Sequence, residues 1–283
     1  MRIYFTAFCL AHLTMGSSSE FITPSHHRDL ENRVIGGTVA DPQRFPYYTL
    51  LKTFTKSGTG SSCGGTLIAP DVIMTAAHCV EGSDDFFGDS SPVLGVDAFV
   101  NSTTIQYSKY EHYRTGIKWI VHPDRNEVTN KNDVALIFLD APVIDVPMVK
   151  LNKDVNIPAS NDPTPLTLIG LGVEDVNATF DPSFGSFTIY TYADKLRKLV
   201  TDTVPIPSCT KTYTSFYIGD SNICAGGKGV KEGSCFGDSG GPLLKTKSSA
   251  NQDVQIAIAS WVGSRDCSGA SPDVYARVSY FAG

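Results

Sequence analysis

Gly237-Asp238-Ser239-Gly240-Gly241 sets a hydroxyl between glycines, with a carboxylate directly before it. Glycine has no Cβ, so such a run can turn tightly and aim backbone N–H groups at charge developing on a substrate oxygen. A serine hydroxyl is a poor nucleophile near neutrality unless a base takes its proton during attack. Upstream, Thr75-Ala76-Ala77-His78-Cys79 offers an imidazole, whose ordinary pKa of about 6.5 suits that task. Between them, Asn132-Asp133-Val134-Ala135-Leu136 offers a carboxylate able to fix the tautomer and stabilise the imidazolium. Three short segments, far apart in the chain, thus hold the residue types of acyl transfer. Their order matters, because unrelated folds assemble the same three groups in other orders.

Around these segments the chain reads as short strands. Tyr47 to Leu51, Thr66 to Ile68, Val72 to Ala76, Gly116 to Val121 and Val134 to Leu139 are β-prone runs bounded by Gly, Pro or Asp. Leu166 to Gly170, Leu199 to Val204, Pro242 to Leu244, Val254 to Trp261 and Val274 to Val278 continue the series. No long helical period shows, and strands at this spacing predict an all-β sandwich or barrel. Gly82 to Pro92 and Glu174 to Gly185 read as acidic loops, and roughly Ala141 to Pro165 reads as a connection between two halves.

The chain resembles the chymotrypsin/trypsin family of serine proteases over essentially all of residues 34–283. Val34-Ile35-Gly36-Gly37, the three segments above, Ser260-Trp261 and Pro272-Asp273-Val274-Tyr275 occur in the family's order. The resemblance implies two six-stranded Greek-key β-barrels, about 34–145 and 165–283, with the site between them. It implies His78 as general base and then acid, Asp133 as its orienting carboxylate and Ser239 as nucleophile. The N–H groups of Gly237 and Ser239 would form the oxyanion hole. Cutting after Arg33 would free the Val34 ammonium to pair with Asp238, ordering the loop that carries those donors. Six cysteines allow fifteen pairings; the resemblance implies Cys63–Cys79, Cys209–Cys224 and Cys235–Cys267. No cofactor or metal is expected, and the acidic stretch Asp84, Asp85, Asp89 reads as a solvated loop rather than a calcium site.

Some positions depart from the family. The pocket base, six residues before the nucleophile, is Gly233, whereas trypsins have Asp there. Asp273 stands where most relatives have Gly. The combination resembles the crustacean collagenases called brachyurins and implies a broad or mixed preference at P1, the residue whose carbonyl is attacked. Either Val262, after Ser260 and Trp261, narrows the pocket mouth, or one residue is inserted and Gly263 takes that place. Leu171 replaces a usual Trp. The chain stops at Tyr280-Phe281-Ala282-Gly283, so the family's C-terminal helix is expected to be missing, through truncation or a shortened fold.

The N-terminus reads as a signal peptide over 1–16, with Arg2, an apolar stretch from Ile3 to Met15, and small residues from Gly16. Polar residues 17–33 read as a propeptide. Seven cysteines occur, and setting aside Cys9 in the signal leaves six, an even set suited to an oxidising compartment. No C-x-x-C pair suggests zinc. The sequons at Asn101 and Asn177 fit a secreted glycoprotein. A net charge of -6 without a basic run argues against nucleic acid, and no stretch is long enough to span a membrane. Expected partners are protein or peptide substrates, a trypsin-like activating protease and protein inhibitors, acting on a monomer. Rival readings are a catalytically inactive homologue serving as a binding protein, and a serine esterase, which the His, Asp, Ser chain order disfavours.

Overall fold

Alternation with a period of two shapes the strands: along Ala135–Leu139, residues 135, 137 and 139 are buried and the two between them half-buried. The computed structural model describes residues 35–56, 58, 60–82, 91–106, 112–159, 161, 163–181, 185–229 and 231–282. The expected signal peptide, the propeptide, Arg33, Val34 and the Asp84–Asp89 stretch lie outside the described residues.

A short β1 (Thr38–Val39) precedes β2 (Tyr48–Thr55), β3 (Gly60–Ala69), β4 (Val72–Thr75), β5 (Val93–Val100), β6 (His112–Val121) and β7 (Ala135–Leu139). Strands β2 to β7 close into an antiparallel barrel in the order β2-β3-β4-β7-β6-β5. One helical turn, α1 (His78–Glu81), follows β4. After β8 (Lys150–Leu151) come β9 (Pro165–Gly170), a separate hairpin of β10 (Val173–Asp181) and β11 (Gly185–Tyr192), and β12 (Arg197–Val204). Helix α2 (Ile206–Tyr217) leads to β13 (Asn222–Gly226), β14 (Pro242–Lys245), β15 (Val254–Trp261), β16 (Pro272–Arg277) and the turn α3 (Val278–Phe281). The second barrel closes as β9-β12-β13-β16-β15-β14, since β9 pairs with both β12 and β14. Counted within each barrel, the two rings run identically: first, second, third, sixth, fifth, fourth.

Each barrel is filled from its own strands. Leu50, Leu67, Ile73, Val96 and Ile137 are sealed in the first; Leu166, Leu168, Ile223, Ile256 and Tyr275 in the second. Polar contacts stitch the two together. The Gly64 N–H of β3 donates to the Ser239 carbonyl at 2.7 Å, and the Leu171 N–H donates to Tyr48 Oη at 3.2 Å. Asp253, fully buried just before β15, accepts from Tyr47 Oη at 2.5 Å and from Arg44 Nη1 and Nη2 at 2.5 and 3.0 Å.

Three elements differ from the sequence reading. Glu174 to Gly185 is not a loop but most of β10, because Thr188 to Tyr192 of β11 offers a β-branched and aromatic partner along which Val176↔Tyr190 and Asn177↔Ile189 pair. The helix α2 has a polar, weakly amphipathic sequence; Pro205 and Pro207 start it, and the Ser208 and Cys209 N–H groups donate to the Pro205 carbonyl. Near the C-terminus, Val278, read as the end of a strand, instead opens the single turn α3, and Phe281 packs edge-on to His122 at 5.2 Å.

Asp253→Ala would strand Tyr47 Oη and the Arg44 guanidinium beside a void. Loss of one partner from a buried charged cluster should cost about 3–5 kcal/mol, and Tyr47→Phe about 1–3 kcal/mol. Denaturant unfolding of both variants against the parent reads these losses.

Candidate active site

His78 opens α1 directly after β4, and the Cys63–Cys79 disulfide (Cα–Cα 6.2 Å) ties that turn to β3. Asp133 sits just before β7, fully buried, after Asn132 in the left-handed region (φ 57°). His78 Nδ1 lies 2.8 Å from Asp133 Oδ2, and the His78 backbone N–H donates to Oδ1 at 3.0 Å. The second barrel adds Ser260, whose hydroxyl donates to Oδ2 at 2.5 Å. An ionised carboxylate only accepts, so the His78 proton belongs on Nδ1 and Nε2 is left basic. Burial, the largest single influence, would depress the His78 imidazole, but the charge and hydrogen bond of Asp133 together outweigh it and the net shift is upward. Asp133 is held down to about 2: burial opposes this, while His78, Arg125 and the Ser260 hydroxyl favour the charged form.

Ser239 stands in the bend between Cys235 and β14. Gly237 (φ 94°) and Gly240 (φ 77°) take backbone angles that side chains rarely adopt, and a Cβ on Gly240 would fall 2.1 Å from Thr75 Oγ1. The bend is therefore pressed onto the end of β4, next to His78. Among the described residues, no protein group accepts the N–H of Gly237 or of Ser239, and the Ser239 hydroxyl makes no hydrogen bond to His78. Both side chains line one cleft of about 1020 Å³, which Gly237, Tyr192 and Val262 also face. The sulfurs of Cys63 and Cys79 lie near His78, but a disulfide offers no thiolate, so this trio is no metal centre.

Asp238 is buried behind the bend, accepting from the Gly172 N–H at 2.9 Å and the Cys235 N–H at 3.0 Å. Among the described residues it has no cationic partner, and burial pushes its carboxyl up to about 7 despite those two donors. Ile35 is buried against Val173 and the Cys235–Cys267 disulfide, and its carbonyl accepts the Gly233 N–H at 3.1 Å. Cys209–Cys224 ties α2 to β13.

Asp273 is buried in β16 and accepts from Ser234 N–H and Oγ (2.7 and 2.8 Å) and from Gly263 N–H (2.9 Å). A Cβ on Gly233 would fall 2.7 Å from Asp273 Oδ2, so this carboxylate takes the room that a side chain at 233 would need. Burial pushes the Asp273 carboxyl up to about 6. Val262, not Gly263, lines the cleft beside Ser260 and Trp261; Gly263 is wedged against the carbonyls of Ser271 and Pro272. Trp261 is backed by Tyr213, ring to ring at 4.7 Å. Asn101 follows β5 at φ 60°, and Asn177 is exposed on β10.

The sequence reading missed Glu81 and Arg125, which pack at the Asp133 side of the site, and the β11 tyrosines Tyr190 and Tyr192 at the cleft. An isolated Arg in an Asn-rich turn carries no local mark. The tyrosines were readable only once β11 was recognised as a strand.

The family model described as Trypsin matches residues 34–283. Brachyurin from Leptuca pugilator is 29% identical, covering 88% of this chain and 95% of the relative. Chymotrypsin-like elastase family member 1 from Canis lupus familiaris is 31% identical, over 88% and 89%. Among solved structures, one titled HL collagenase superposes with a TM-score of 0.69 at 26% identity, over 87% of this chain and 94% of that one.

The buried carboxylates predict how stability follows pH. Asp238, raised from 3.8 to about 7, and Asp273, raised from 3.8 to about 6, bind protons more tightly folded than unfolded. Their contribution is full below 3.8 and is lost as pH rises through those higher values. Asp133 acts oppositely, its contribution being lost as pH falls from 3.8 toward about 2. In the uncleaved chain, Asp238→Asn should therefore flatten the decline in melting temperature between pH 4 and 7, as read by calorimetry across that range.

Proposed function

This chain belongs to the Trypsin family, and on that premise we propose that it is a secreted serine endopeptidase, made as a zymogen and activated by cleavage after Arg33. Residues 1–16 serve as signal peptide, 17–33 as propeptide and 34–283 as the protease domain, with Asn101 and Asn177 as glycosylation sites. One observation carries the reading: His78, oriented by a buried Asp133, faces the same cleft as Ser239 and two unclaimed backbone N–H groups.

In the reaction, Ser239 Oγ attacks the scissile carbonyl while His78 Nε2 takes its proton. Asp133 stabilises the resulting imidazolium, and the N–H groups of Gly237 and Ser239 hold the oxyanion. Collapse breaks the C–N bond, His78 returns the proton to the leaving amine, and an acyl-enzyme remains. Water, deprotonated by His78, then releases the acid and restores the serine; these roles follow the general triad template. Among the described residues Ser239 Oγ makes no hydrogen bond to His78, and such bonds often tighten only with substrate bound.

Activation gives Asp238 the cation that it lacks among the described residues. The Val34 ammonium pairs with this carboxylate, turns an unfavourable buried charge into a partnered one, and holds the Gly237–Ser239 bend. At the pocket, Gly233 supplies no carboxylate and Asp273 supplies one to P1 Arg or Lys, while large apolar P1 residues are accepted as well. Substrates are proteins or peptides; the activator is a trypsin-like protease, and protein inhibitors compete for the cleft. An inactive homologue acting only as a binding protein would be expected to lack one of the three reacting groups, and all are present.

A fluorophosphonate probe should label Ser239 only after tryptic cleavage at Arg33, and not in Ser239→Ala. A folded, cleaved chain that takes no label would overturn the reading. Among matched P1-Arg, P1-Leu and P1-Phe substrates all three should be cleaved, and Asp273→Gly should cut kcat/KM for P1-Arg by about tenfold or more, the worth of one charged hydrogen bond. An unchanged P1-Arg rate would remove Asp273 from specificity.

A further inference from the structure

Arg125, in the turn between β6 and β7, holds a guanidinium each of whose three nitrogens donates a hydrogen bond. Nε donates to Glu81 Oε2 at 3.2 Å, Nη1 to the Asn126 carbonyl at 2.9 Å and Nη2 to Asn130 Oδ1 at 2.8 Å. Nη2 also lies 3.7 Å from Asp133 Oδ1, the oxygen that takes the His78 backbone N–H. Only 5% of the Arg125 side chain and 14% of that of Glu81 are exposed. The cation thus lies beside the Asp133 carboxylate and is held there by its own hydrogen bonds.

Resting on the endopeptidase reading, we propose that Arg125, counterbalanced by Glu81, is a positioning residue that sets how readily His78 accepts the serine proton. Among the described residues, few charged groups face His78. Asp133 and Arg125 come from the turn before β7, and Glu81 comes from α1, with Glu127 beside it. From β15 comes only the uncharged Ser260 hydroxyl, and from β3 the disulfide-bound Cys63. Asp133 and Glu81 favour the imidazolium, while Arg125 opposes it. Glu81 and Arg125 therefore pull in opposite directions, and pairing fixes the guanidinium while damping its field at the imidazole. A purely structural ion pair would give both deletions the same sign.

The test compares Arg125→Gln, Glu81→Gln and Arg125→Lys with the parent after cleavage at Arg33. The acid limb of kcat/KM against pH is measured, and the His78 imidazole is titrated directly by NMR on 13C-histidine-labelled protein. Both positions are independent of how much of a variant folds. Arg125→Gln should move the limb and the imidazole titration up, and Glu81→Gln down, each by about half a pH unit or more. Arg125→Lys should return both toward the parent. Shifts of one sign, or none, in an active parent overturn the proposal. A cleaved parent that hydrolyses nothing overturns the enzymatic reading instead, and the imidazole titration still decides whether Arg125 and Glu81 act on His78.

Discussion

Asp133 is a full negative charge with no water around it, and the fold is arranged so that this can be tolerated. Taking an unpaired carboxylate out of water costs several kcal/mol even after relaxation. Its two oxygens are met from α1 by the His78 backbone and ring, from β15 by Ser260 and from the turn before β7 by Arg125. Those donors belong to both barrels, so seating the carboxylate requires the barrels to be docked and His78 to be in place. Three other buried aspartates are compensated to graded degrees. Asp253 has a cation and a tyrosine, Asp273 three neutral donors, and Asp238 only two. The least compensated of them directly precedes Ser239.

The parts of this arrangement legible in the sequence are those with dense local signals. His78, Asp133 and Ser239 each lie in a short run of small or β-prone residues that sets the backbone as well as the chemistry, and Val134 to Leu139 and Val254 to Trp261 are apolar, β-prone runs short enough to be read as strands. Strand β10 could not be read this way, because its Asp, Asn and Thr residues look like a loop until their partner strand is known. Helix α2 is decided by its Pro start and by the Cys209 tether rather than by an apolar stripe. Arg125 and Glu81 are forty-four positions apart, and only closure of the first barrel brings them together. Val262 against Gly263 was a question of register, on which a single sequence carries no local signal.

Two rings with the same strand order carry no visible sequence repeat. What recurs is the succession of short strands and tight connections, which many side-chain sets can satisfy as long as each interior is filled. The cores bear this out: the first mixes aliphatic residues with Tyr47, Tyr48 and Phe45, whereas the second relies on Leu, Ile and Tyr275. Chemistry is confined to the line where the rings meet, and there the residues are not interchangeable.

The hydrogen bond from Gly64 to the Ser239 carbonyl has a bearing on how the molecule is made. Chains emerge from the ribosome amino end first, and compact units tend to fold in that sequence. The amide that will register the nucleophile is thus in position on β3 while the bend itself is still unsynthesised. The earlier barrel acts as a mould for the later loop, and the candidate site is completed only in the last third of translation.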